Sequence, residues 1–402
     1  MANSLTSLNQ EFWVREAERS LFVENNAIAM GVANMKLVNV AAGEVDTVNK
    51  QILSYPASET YTPGTDITNV ALTSSQEQLS IGTFVASKVT VDDTEKKQSI
   101  VDIGRTAAER MMKDHWNRVD QQILTEVTNA LWSIDDGNVG GTSGNNIVVN
   151  TDTAPRLFTS ADTKLDAIDA PKQNRVAVVG THVLNQLKLQ QAGRDTVWGD
   201  GVNVRGLVSK LFGYDIVYSN NLRWTATLNV ATQVTEGDTV TIAGVVFTFN
   251  ATPSGAGSVD IGVSAATSVD NLVAAVNDAG TAGTTYIQLS AENRFLLRDK
   301  RRLVATDATT SITFVGAGDI VVSEALTDTT DGWSAQLQDS LFCVRGAIDM
   351  VVQMPPQVEV ARDPDQFSDI VKSLLGFGKK TYADGAREMV RVKIDASTSD
   401  WA

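Results

Sequence analysis

Cysteine and histidine are almost absent from this chain of 402 residues, which contains one cysteine and two histidines. The single cysteine, Cys343, excludes an internal disulfide and fits a reducing compartment. It lies in the strand-like run LFCV and is predicted to be buried and inert. Neither His115 nor His182 has a metal-type ligand three or four residues further on, so we predict no metal site. No cofactor is expected either, and the sequence predicts a protein that is not an enzyme.

Long apolar runs are also missing. No run approaches the roughly 18 residues needed to span a bilayer, and the N-terminus, MANSLTSLNQEFW, lacks the basic start and apolar core of a secretory signal. These absences predict a soluble protein made in a cytoplasm, with no membrane partner. The 33 Lys and Arg residues are outnumbered by 48 Asp and Glu, which gives a formal charge of -15. This balance argues against tight, stoichiometric phosphate binding, because such binding needs clustered cations.

A glycine-lysine stretch near the C-terminus, GFGKKT at residues 376–381, resembles a loop that cradles phosphate. The phosphate loop needs four residues between its glycines and a hydroxyl directly after its lysine. Here Gly376 and Gly378 are too close, and Lys380 stands where the hydroxyl belongs. The following run MVRVKI alternates apolar and charged residues, which predicts a half-buried strand. We therefore interpret the stretch as the start of a terminal hairpin, with a turn at Asp384-Gly385.

The N-terminal part contains two segments rich in strand-forming residues, at 45–55 and 76–91. Between them lies PASETYTPGTDITNVALTSS, a polar segment with two prolines and a glycine. Loops of this length inside compact domains are usually functional or disordered. Both interpretations stay open for this segment.

A long helix is predicted from the capping residues Asp92-Asp93-Thr94 to Trp132. Its apolar residues recur every three or four positions, and Gly104 is its only glycine. About 35 helical residues would span on the order of 50 Å, so other layers would pack across this helix. A coiled coil is the alternative, but Ala107-Ala108 and the His-Trp pair interrupt a clean heptad.

Residues 172–222 predict a compact α/β unit, in which KQNRVAVVGT is a strand, THVLNQLKLQQ a helix and YDIVYSNNL a second strand. The composition then changes, because positions 224–293 contain neither Lys nor Arg. The basic residues that follow are confined to one short run: Arg294, Arg298, Lys300, Arg301 and Arg302. That run favours a solvated strand or turn face, with contact to an anionic partner as the alternative.

We interpret residues 224–334 as an inserted β-rich domain. TVTIAGVVFTF predicts a hairpin, and YIQL and SITFV predict further strands. A short helix is predicted to be capped by Ser268 and to end at Gly280. After Trp333 the run DSLFCVRGAIDMVVQM resumes the character of the preceding α/β region.

Three passages carry a resemblance to a known family: DTVNKQIL followed by SKVTVDDTEKKQSIVDIGRTAAERM…RVDQQIL with Asp120 in the helix, RVAVVGTHVLNQL…GLVSKLFGYDIVYSNNL, and GKKTYADGAREMVRVKID. They are similar to the strand-to-spine passage, the α/β domain and the closing strand of the major capsid (coat) protein of tailed bacteriophages. The resemblance covers nearly the whole chain except residues 224–334, where DTVTIAGVVFTF matches only a general phage-structural β pattern.

The resemblance implies the Hong Kong-type capsid fold, an α+β fold with an inserted domain. It assigns the segments as follows: an N-terminal arm (1–44), an extended β-loop (45–93), the spine helix with a peripheral β region (94–155), the first part of an A-type α/β domain (156–223), the inserted β-rich domain (224–334), the return of the A-type domain (335–378), and a closing peripheral strand with the C-terminus (379–402).

The function that the resemblance implies is self-assembly, as hexamers and pentamers, into the icosahedral shell that encloses the double-stranded DNA genome of a phage. DNA would be enclosed without sequence-specific binding, and the protein would be assembled in the host cytoplasm and located in the virion. Scaffolding, portal and decoration proteins are further partners of such shells. In this fold the long β-loop lies over a neighbouring subunit. We expect inter-subunit contacts at Glu59, Tyr61, Pro63, Gly64, Arg362 and Asp363.

Two other functions remain open at this point. One is the shell protein of a cellular encapsulin-type nanocompartment, which would have the same fold. The other is a β-rich phage tail or adhesin protein, against which the long spine helix argues. A long exposed β-loop with unpaired edges favours a shell, since such edges are a liability unless another chain covers them.

Overall fold

The computed structural model describes residues 32–34, 47–53, 58–67, 71–98, 103–192 and 210–397. Most of the expected N-terminal arm (1–44) lies outside these residues. The described strands, in chain order, are β1 (Ala33–Asn34), β2 (Thr47–Leu53), β3 (Ser74–Ser80), β4 (Thr83–Asp92), β5 (Trp132–Ile134), β6 (Arg175–Val179), β7 (Lys210–Leu211), β8 (Tyr214–Tyr218), β9 (Arg223–Asn229), β10 (Thr239–Ile242), β11 (Val245–Asn250), β12 (Ser258–Asp260), β13 (Val304–Asp307), β14 (Ser311–Ala317), β15 (Val322–Ala325), β16 (Gly332–Val344), β17 (Ile348–Arg362), β18 (Ser368–Lys380) and β19 (Met389–Asp395).

The described α-helices are α1 (Asp93–Gln98), α2 (Ile103–Thr125), α3 (Thr153–Asp166), α4 (Thr181–Ala192), α5 (Ala265–Asn277), α6 (Ala291–Arg294) and α7 (Ala383–Arg387). A π-helical turn, Phe295–Lys300, continues α6. None of the helices in the described part of the chain is both long and apolar enough to cross a membrane. The described residues fall into two compact units, one within Met1–Val119 and Gly346–Gly385, the other within Asp120–Arg345 and Ala386–Ala402.

The first unit is built on a four-stranded sheet in the order β1-β17-β18-β4. β17 and β18 form a long antiparallel hairpin, and β4 pairs with β18 along its whole length. One face of this sheet is covered by α2, whose Met111 and Met112 pack on Val358 and Val371. The apolar period of the helix therefore faces the sheet, as its spacing predicts.

The second unit is built on a nine-stranded sheet that contains the path β13-β14-β9-β16-β6-β8-β7, with β19 paired to β16 and β5 to β19. β6 and β8 are parallel, and α4 connects them in the chain, which confirms the predicted α/β unit. Its core includes three aromatic rings packed edge to face. The ring centroid of Phe158 lies 5.0 Å from that of Phe342 and 5.9 Å from that of Tyr214.

The segment predicted as an insertion adds a second sheet, in the order β12-β11-β10-β15. The predicted hairpin is confirmed as β10 and β11. The core of this sheet, which contains Phe247, Phe249 and Leu272 of α5, is continuous with Trp224 of β9. The same segment also contributes β9, β13 and β14 to the nine-stranded sheet, where Thr225 pairs with Leu337. The boundaries at 224 and 334 stay a prediction, and both positions lie inside strands.

One edge of the nine-stranded sheet is β13, and a side chain of α5 bonds to its backbone at Ala305. The amide nitrogen of Asn277 donates to the carbonyl of Ala305 at 2.7 Å, and the amide oxygen of Asn277 accepts from Ala305 N–H at 3.0 Å. The Asn277 side chain thus makes the two hydrogen bonds that another strand would make.

The predicted long helix is wrong at its C-terminal end. α2 ends at Thr125, a 3₁₀ turn follows at Glu126–Asn129, and Trp132 begins β5. The hydroxyls of Thr125 and Thr128 donate to carbonyls three residues earlier, at 2.6 and 3.1 Å, which competes with helical hydrogen bonding. Residues 99–102, which would join α1 to α2, lie outside the described residues.

The interpretation of the glycine-lysine stretch as the start of a terminal hairpin is also wrong. Gly376 and Gly378 lie inside β18, and β19 pairs with β16 and β5 rather than with β18. The segment between β18 and β19 forms the short helix α7 instead of a simple turn at Asp384-Gly385.

Three details of the inserted segment differ from the predictions. Ser264, not Ser268, caps α5, because the Ser264 hydroxyl accepts the N–H of Thr267, and the helix ends at Asn277 rather than Gly280. YIQL makes isolated bridges at Tyr286 instead of a strand, which short apolar runs do not reveal. Arg294, Arg298 and Lys300 of the basic run lie on helical residues rather than on a strand or turn, and Arg301 and Arg302 directly follow them.

Candidate assembly surface

A two-stranded ribbon, β2 paired with β3, extends from the first unit. Its register runs from Thr47 opposite Ser80 to Leu53 opposite Ser74. Only the base of the ribbon is buried, where Val48 and Leu79 pack into a small apolar cluster with Ile81, Val351 and Tyr382. Because an isolated two-stranded ribbon is marginally stable in water, this cluster is what anchors it to the unit.

Tyr382 is the centre of that anchor. Its ring is fully buried, and the ammonium groups of Lys50 and Lys380 lie 4.8 and 5.5 Å from its centroid. Burial raises the pKa of the Tyr382 phenol, to which nearby carboxylates add. Two lysines against one neutral ring are a favourable arrangement, since the ring face is electron-rich.

Hydrogen bonds fasten β3 to the residues around Tyr382. Lys380 Nζ donates to the carbonyl of Gln78 at 2.8 Å. The carboxylate of Glu77 accepts from the backbone N–H of Ala383, at 3.2 Å to the nearer oxygen, at the start of α7. The base of the ribbon is therefore held by charge-assisted hydrogen bonds as well as by apolar packing.

Two glycines of β18 permit close approach of other elements to this strand. A Cβ atom on Gly378 would lie 2.7 Å from the carbonyl oxygen of Ser80 and 2.9 Å from Leu79 Cδ2. A Cβ atom on Gly376 would lie 3.0 Å from the ring of Phe84. Gly378 thus permits the backbone of β3 to cross β18 closely, which is a known use of glycine inside strands.

Beyond its base, the ribbon and the segment that joins its two strands expose apolar side chains. Leu53, Tyr61, Ile67 and Leu72 are each at least 60% exposed. Soluble monomers rarely present several large apolar side chains on one extended segment unless a partner covers them. The segment that the sequence suggested to be mainly polar therefore has the character of a contact surface.

The described part of the connecting segment contains a defined turn. Thr65 N–H donates to the carbonyl of Thr62 at 3.1 Å, and the Thr65 hydroxyl donates to the same carbonyl at 2.7 Å. Gly64 has a φ of 91°, the left-handed conformation that the third position of a type II turn requires, and Pro63 occupies the second position. The turn brings the expected contact residues Pro63 and Gly64 together, next to Tyr61, and Glu59 is exposed two residues before Tyr61.

Arg362, another expected contact residue, ends β17 and forms ion pairs within its own unit. Its guanidinium lies 2.5 Å from a carboxylate oxygen of Asp93 and 3.1 Å from one of Asp369. Lys96 also bonds to Asp369. The hydrogen bond from Arg362 lowers the pKa of Asp93, and the pKa of Asp369 is lowered by Lys96 and Arg362 although burial alone would raise it.

The hairpin tip after Arg362 is acidic and carries one exposed aromatic ring. Asp363 N–H donates to the carbonyl of Ser368 at 3.0 Å, and Phe367 is 82% exposed. Arg362 pairs with the start of β18, whereas the ribbon is anchored near its end, at Gly378 and Lys380. The expected contact residues thus fall into two groups, one on the ribbon loop and one at the hairpin tip.

The two histidines and the cysteine that were considered for catalysis are buried in the protein interior. His115 is buried with Nε2 2.6 Å from the hydroxyl of Ser373, and His182 Nε2 lies 3.1 Å from the carbonyl of Val149. Cys343 is fully buried, as predicted, and burial raises the pKa of its thiol to about 12. Among the described residues no group of three or more His, Cys, Asp or Glu side chains is placed to hold a metal ion.

The sequence interpretation missed the anchor of the ribbon: Glu77, Lys380, Tyr382 and Gly378. One signal was available, because two glycines spaced by two residues within a strand indicate close approach of another backbone on one face. The hydrogen-bond partners of Lys380 and Glu77 lie hundreds of positions away in the chain, which no local pattern reveals.

Comparison with known proteins identifies solved structures that have a similar architecture. No family model matches the chain, and no curated protein matches it. The capsid structure of cyanophage P-SCSP1u aligns with a TM-score of 0.48 at 14% identity, over 93% of both chains. The mature capsid of bacteriophage PhiM1 aligns with a TM-score of 0.48 at 12% identity, over 93% of this chain and 88% of that one. The structure from Mycobacterium phage Che8 aligns with a TM-score of 0.52 at 15% identity, over 89% of this chain and 88% of that one. This chain has a phage capsid fold.

In this phage capsid fold, the ribbon and the hairpin tip lie in one structural unit. Both belong to the same unit as the long hairpin of β17 and β18. The ribbon buries only its base against its own unit, so the rest of its surface is available to a partner.

Proposed function

We propose that this protein is the major capsid protein of a tailed phage, which self-assembles into the closed icosahedral shell around the double-stranded DNA genome. The observation that carries the proposal is the phage capsid fold across 89% of the chain. Closed shells require heterologous contacts whose rotation closes. The anchored ribbon with its exposed apolar residues supplies one partner of such a contact.

The finer details of the proposal follow the Hong Kong-type arrangement. The ribbon of one subunit lies over its neighbour, with Glu59, Tyr61, Pro63 and Gly64 in the contact. Arg362 and Asp363 contribute from the hairpin tip. The protein acts as a non-enzymatic structural component of the virion and is assembled in the host cytoplasm, with scaffolding, portal and decoration proteins as candidate partners.

Negative-stain electron microscopy of the purified full-length protein tests this function. We expect closed, uniform shells that elute in the void volume of a size-exclusion column. Tubes or fibres would favour the tail or adhesin alternative, and a monodisperse monomer at all protein and salt concentrations would contradict the proposal. The encapsulin alternative receives no support of its own, because the likeness is to phage structures.

A further inference from the structure

All positive charge between residues 224 and 344 lies on one helical segment. This segment, residues 291–302, consists of α6, the π-helical turn after it, and Arg301 and Arg302, and is called the basic helix below. It carries the only Arg and Lys residues in that part of the sequence. The segment is capped, since the hydroxyl of Ser290 accepts the N–H of Asn293 at 3.3 Å.

The basic helix is held rigidly by its own side chains. Leu297 is fully buried in the apolar core of the inserted segment. Arg298 and Arg294 both lie near Asp278 Oδ2, at 3.1 and 3.8 Å. The hydroxyl of Tyr286 donates to the other carboxylate oxygen of Asp278 at 3.1 Å, which fixes that carboxylate between the two arginines. The helix therefore presents a surface that is ordered before any partner binds.

The outward side of the basic helix combines an aromatic ring with cations. Phe295 is 59% exposed, the Arg298 side chain is 46% exposed, and Lys300 is exposed. Phenylalanine and arginine are among the side chains enriched at protein interfaces relative to the rest of the surface.

We propose that the basic helix is a docking surface for an acidic surface on a second copy of this chain. Charge complementarity selects this partner: the chain carries -15 overall, and the basic helix is a local exception. Contact between copies otherwise brings like charges together, so a segment of opposite sign gives orientation as well as attraction. This proposal rests on the proposed function, because it concerns contacts within the shell.

Nucleic acid fits the basic helix less well than an acidic protein surface does. Two of its arginines already share Asp278, and Glu292 and Asp299 interrupt the run of cations. A DNA backbone needs several cations free to release counterions, and mixed charge weakens that effect. Mixed charge around an aromatic ring suits a protein partner with carboxylates at its rim.

A pair of double variants tests the proposal. Phe295→Ser/Lys300→Glu changes two exposed residues of the basic helix and leaves the Arg–Asp278 pairs intact. Phe212→Ser/Lys210→Glu is the matched control, because Phe212 is 52% exposed and the Lys210 side chain 67% exposed elsewhere in the same unit. Shell assembly is followed by light scattering against protein concentration, with circular dichroism to verify that both variants fold.

The expected result is a critical concentration for assembly about tenfold higher in Phe295→Ser/Lys300→Glu and unchanged in the control. Equal assembly of the two variants would overturn the inference while leaving the proposed function intact. Failure of the wild-type protein to assemble would instead overturn the proposed function.

Cross-linking identifies the partner directly. Shells assembled from equal amounts of light and ¹⁵N-labelled protein are treated with a carbodiimide, which joins lysine to a neighbouring carboxylate. Links from Lys300 to Asp or Glu should appear in mixed-isotope pairs, which arise only between copies. Links confined to single-isotope pairs, or protection of Lys300 by added duplex DNA, would overturn the proposal.

Discussion

Gly376 and Gly378 lie two residues apart on one face of β18, and each is covered by a different element. The ring of Phe84 lies over Gly376, and the backbone of β3 lies over Gly378. The two positions differ in whether the neighbouring group can move away from an added side chain. A ring can rotate away from an added methyl group, whereas the carbonyl of Ser80 is part of the β2–β3 pairing.

Gly378→Ala should therefore loosen the ribbon more than Gly376→Ala does. We expect Gly378→Ala to weaken the protection of ribbon amides by about 1–3 kcal/mol, the usual cost of overpacking. The measurement is hydrogen exchange of residues 47–53 and 74–80 in the unassembled protein. Gly376→Ala is the matched control, and equal loss of protection in both variants would contradict the crossing at Gly378.

Arg362 makes the hairpin tip sensitive to acid. Its pairing lowers the pKa values of Asp93 and Asp369 in the folded protein. A lowered folded pKa means that the stabilisation is complete above the unfolded value, near 3.8, and is lost as pH falls through the folded value. Both carboxylates are partly exposed, so the contribution of each is small.

Arg362→Gln should reduce the loss of melting temperature between about pH 7 and about pH 3, since the variant has less pH-dependent pairing to lose. Differential scanning calorimetry at both pH values measures this. Arg345→Gln is the control, because Arg345 is equally exposed at 47% but lies 3.7 Å from a carboxylate oxygen of Asp215. An unchanged pH dependence in Arg362→Gln would show that other carboxylates dominate.

At the scale of elements, the ribbon is a part of the first unit whose surface that unit covers only at its base. Its strands pair with each other, only its base is buried, and its far end exposes Tyr61, Ile67 and Leu72. These side chains contribute little to the stability of the unassembled protein, because they are in water there. Their burial becomes available only when another copy covers them.

Deleting residues 56–73 should leave a cooperatively melting monomer that forms no shells. The triple variant Tyr61→Ser/Ile67→Ser/Leu72→Ser should weaken assembly in the same direction without shortening the loop. Analytical ultracentrifugation and negative-stain imaging measure both. The control is Val246→Ser/Val263→Ser/Val321→Ser, which removes three exposed apolar side chains from the inserted segment. Normal shells from the loop deletion would contradict a role of the ribbon in assembly.

Local patterns predicted several individual elements correctly. The strand β6, the helix α4 and the strand β8 lie where apolar runs and a helical period indicated. Such patterns do not reveal which strands pair with each other. β16 pairs with β6, β9 and β19, which are far apart in sequence, so the sharing of one sheet by the α/β region and the inserted segment could not be inferred from composition.

The candidate site was likewise predicted only in part from local patterns. The segment between β2 and β3 was singled out by its length and its prolines, and the turn at Gly64 follows from Pro63-Gly64 chemistry. The anchor at Tyr382 depends on Lys50, Glu77 and Lys380 meeting in space, and their sequence separation hides this. The glycines of β18 were noticed for the wrong reason, as parts of a possible phosphate loop.

At the scale of the whole molecule, the excess of acidic residues governs how copies approach each other. With a formal charge of -15 per chain, copies that come together would repel one another at long range. Salt screens this repulsion over about 10 Å at 0.1 M and about 30 Å at 0.01 M. Screening should therefore help assembly, although it also weakens the pairing proposed for the basic helix.

Assembly of the wild-type protein should weaken as ionic strength falls. Light scattering of the protein in a series of sodium chloride concentrations measures the yield of shells at fixed protein concentration. A yield that is constant, or that rises as salt is removed, would show that complementary charge pairs dominate the contacts.

The Asn277 amide that occupies the edge of β13 has a consequence for polymer growth. A nine-stranded sheet with an open rim would be a template onto which any partly unfolded copy could add a strand, and each addition would expose a new rim. Growth of that kind has no defined end, and crowding by identical chains would accelerate it. A side chain that satisfies the backbone of Ala305 ends the sheet within its own molecule. Where Asn277 occupies the backbone of Ala305, association at this edge would proceed through side chains, whose geometry can specify a finite particle.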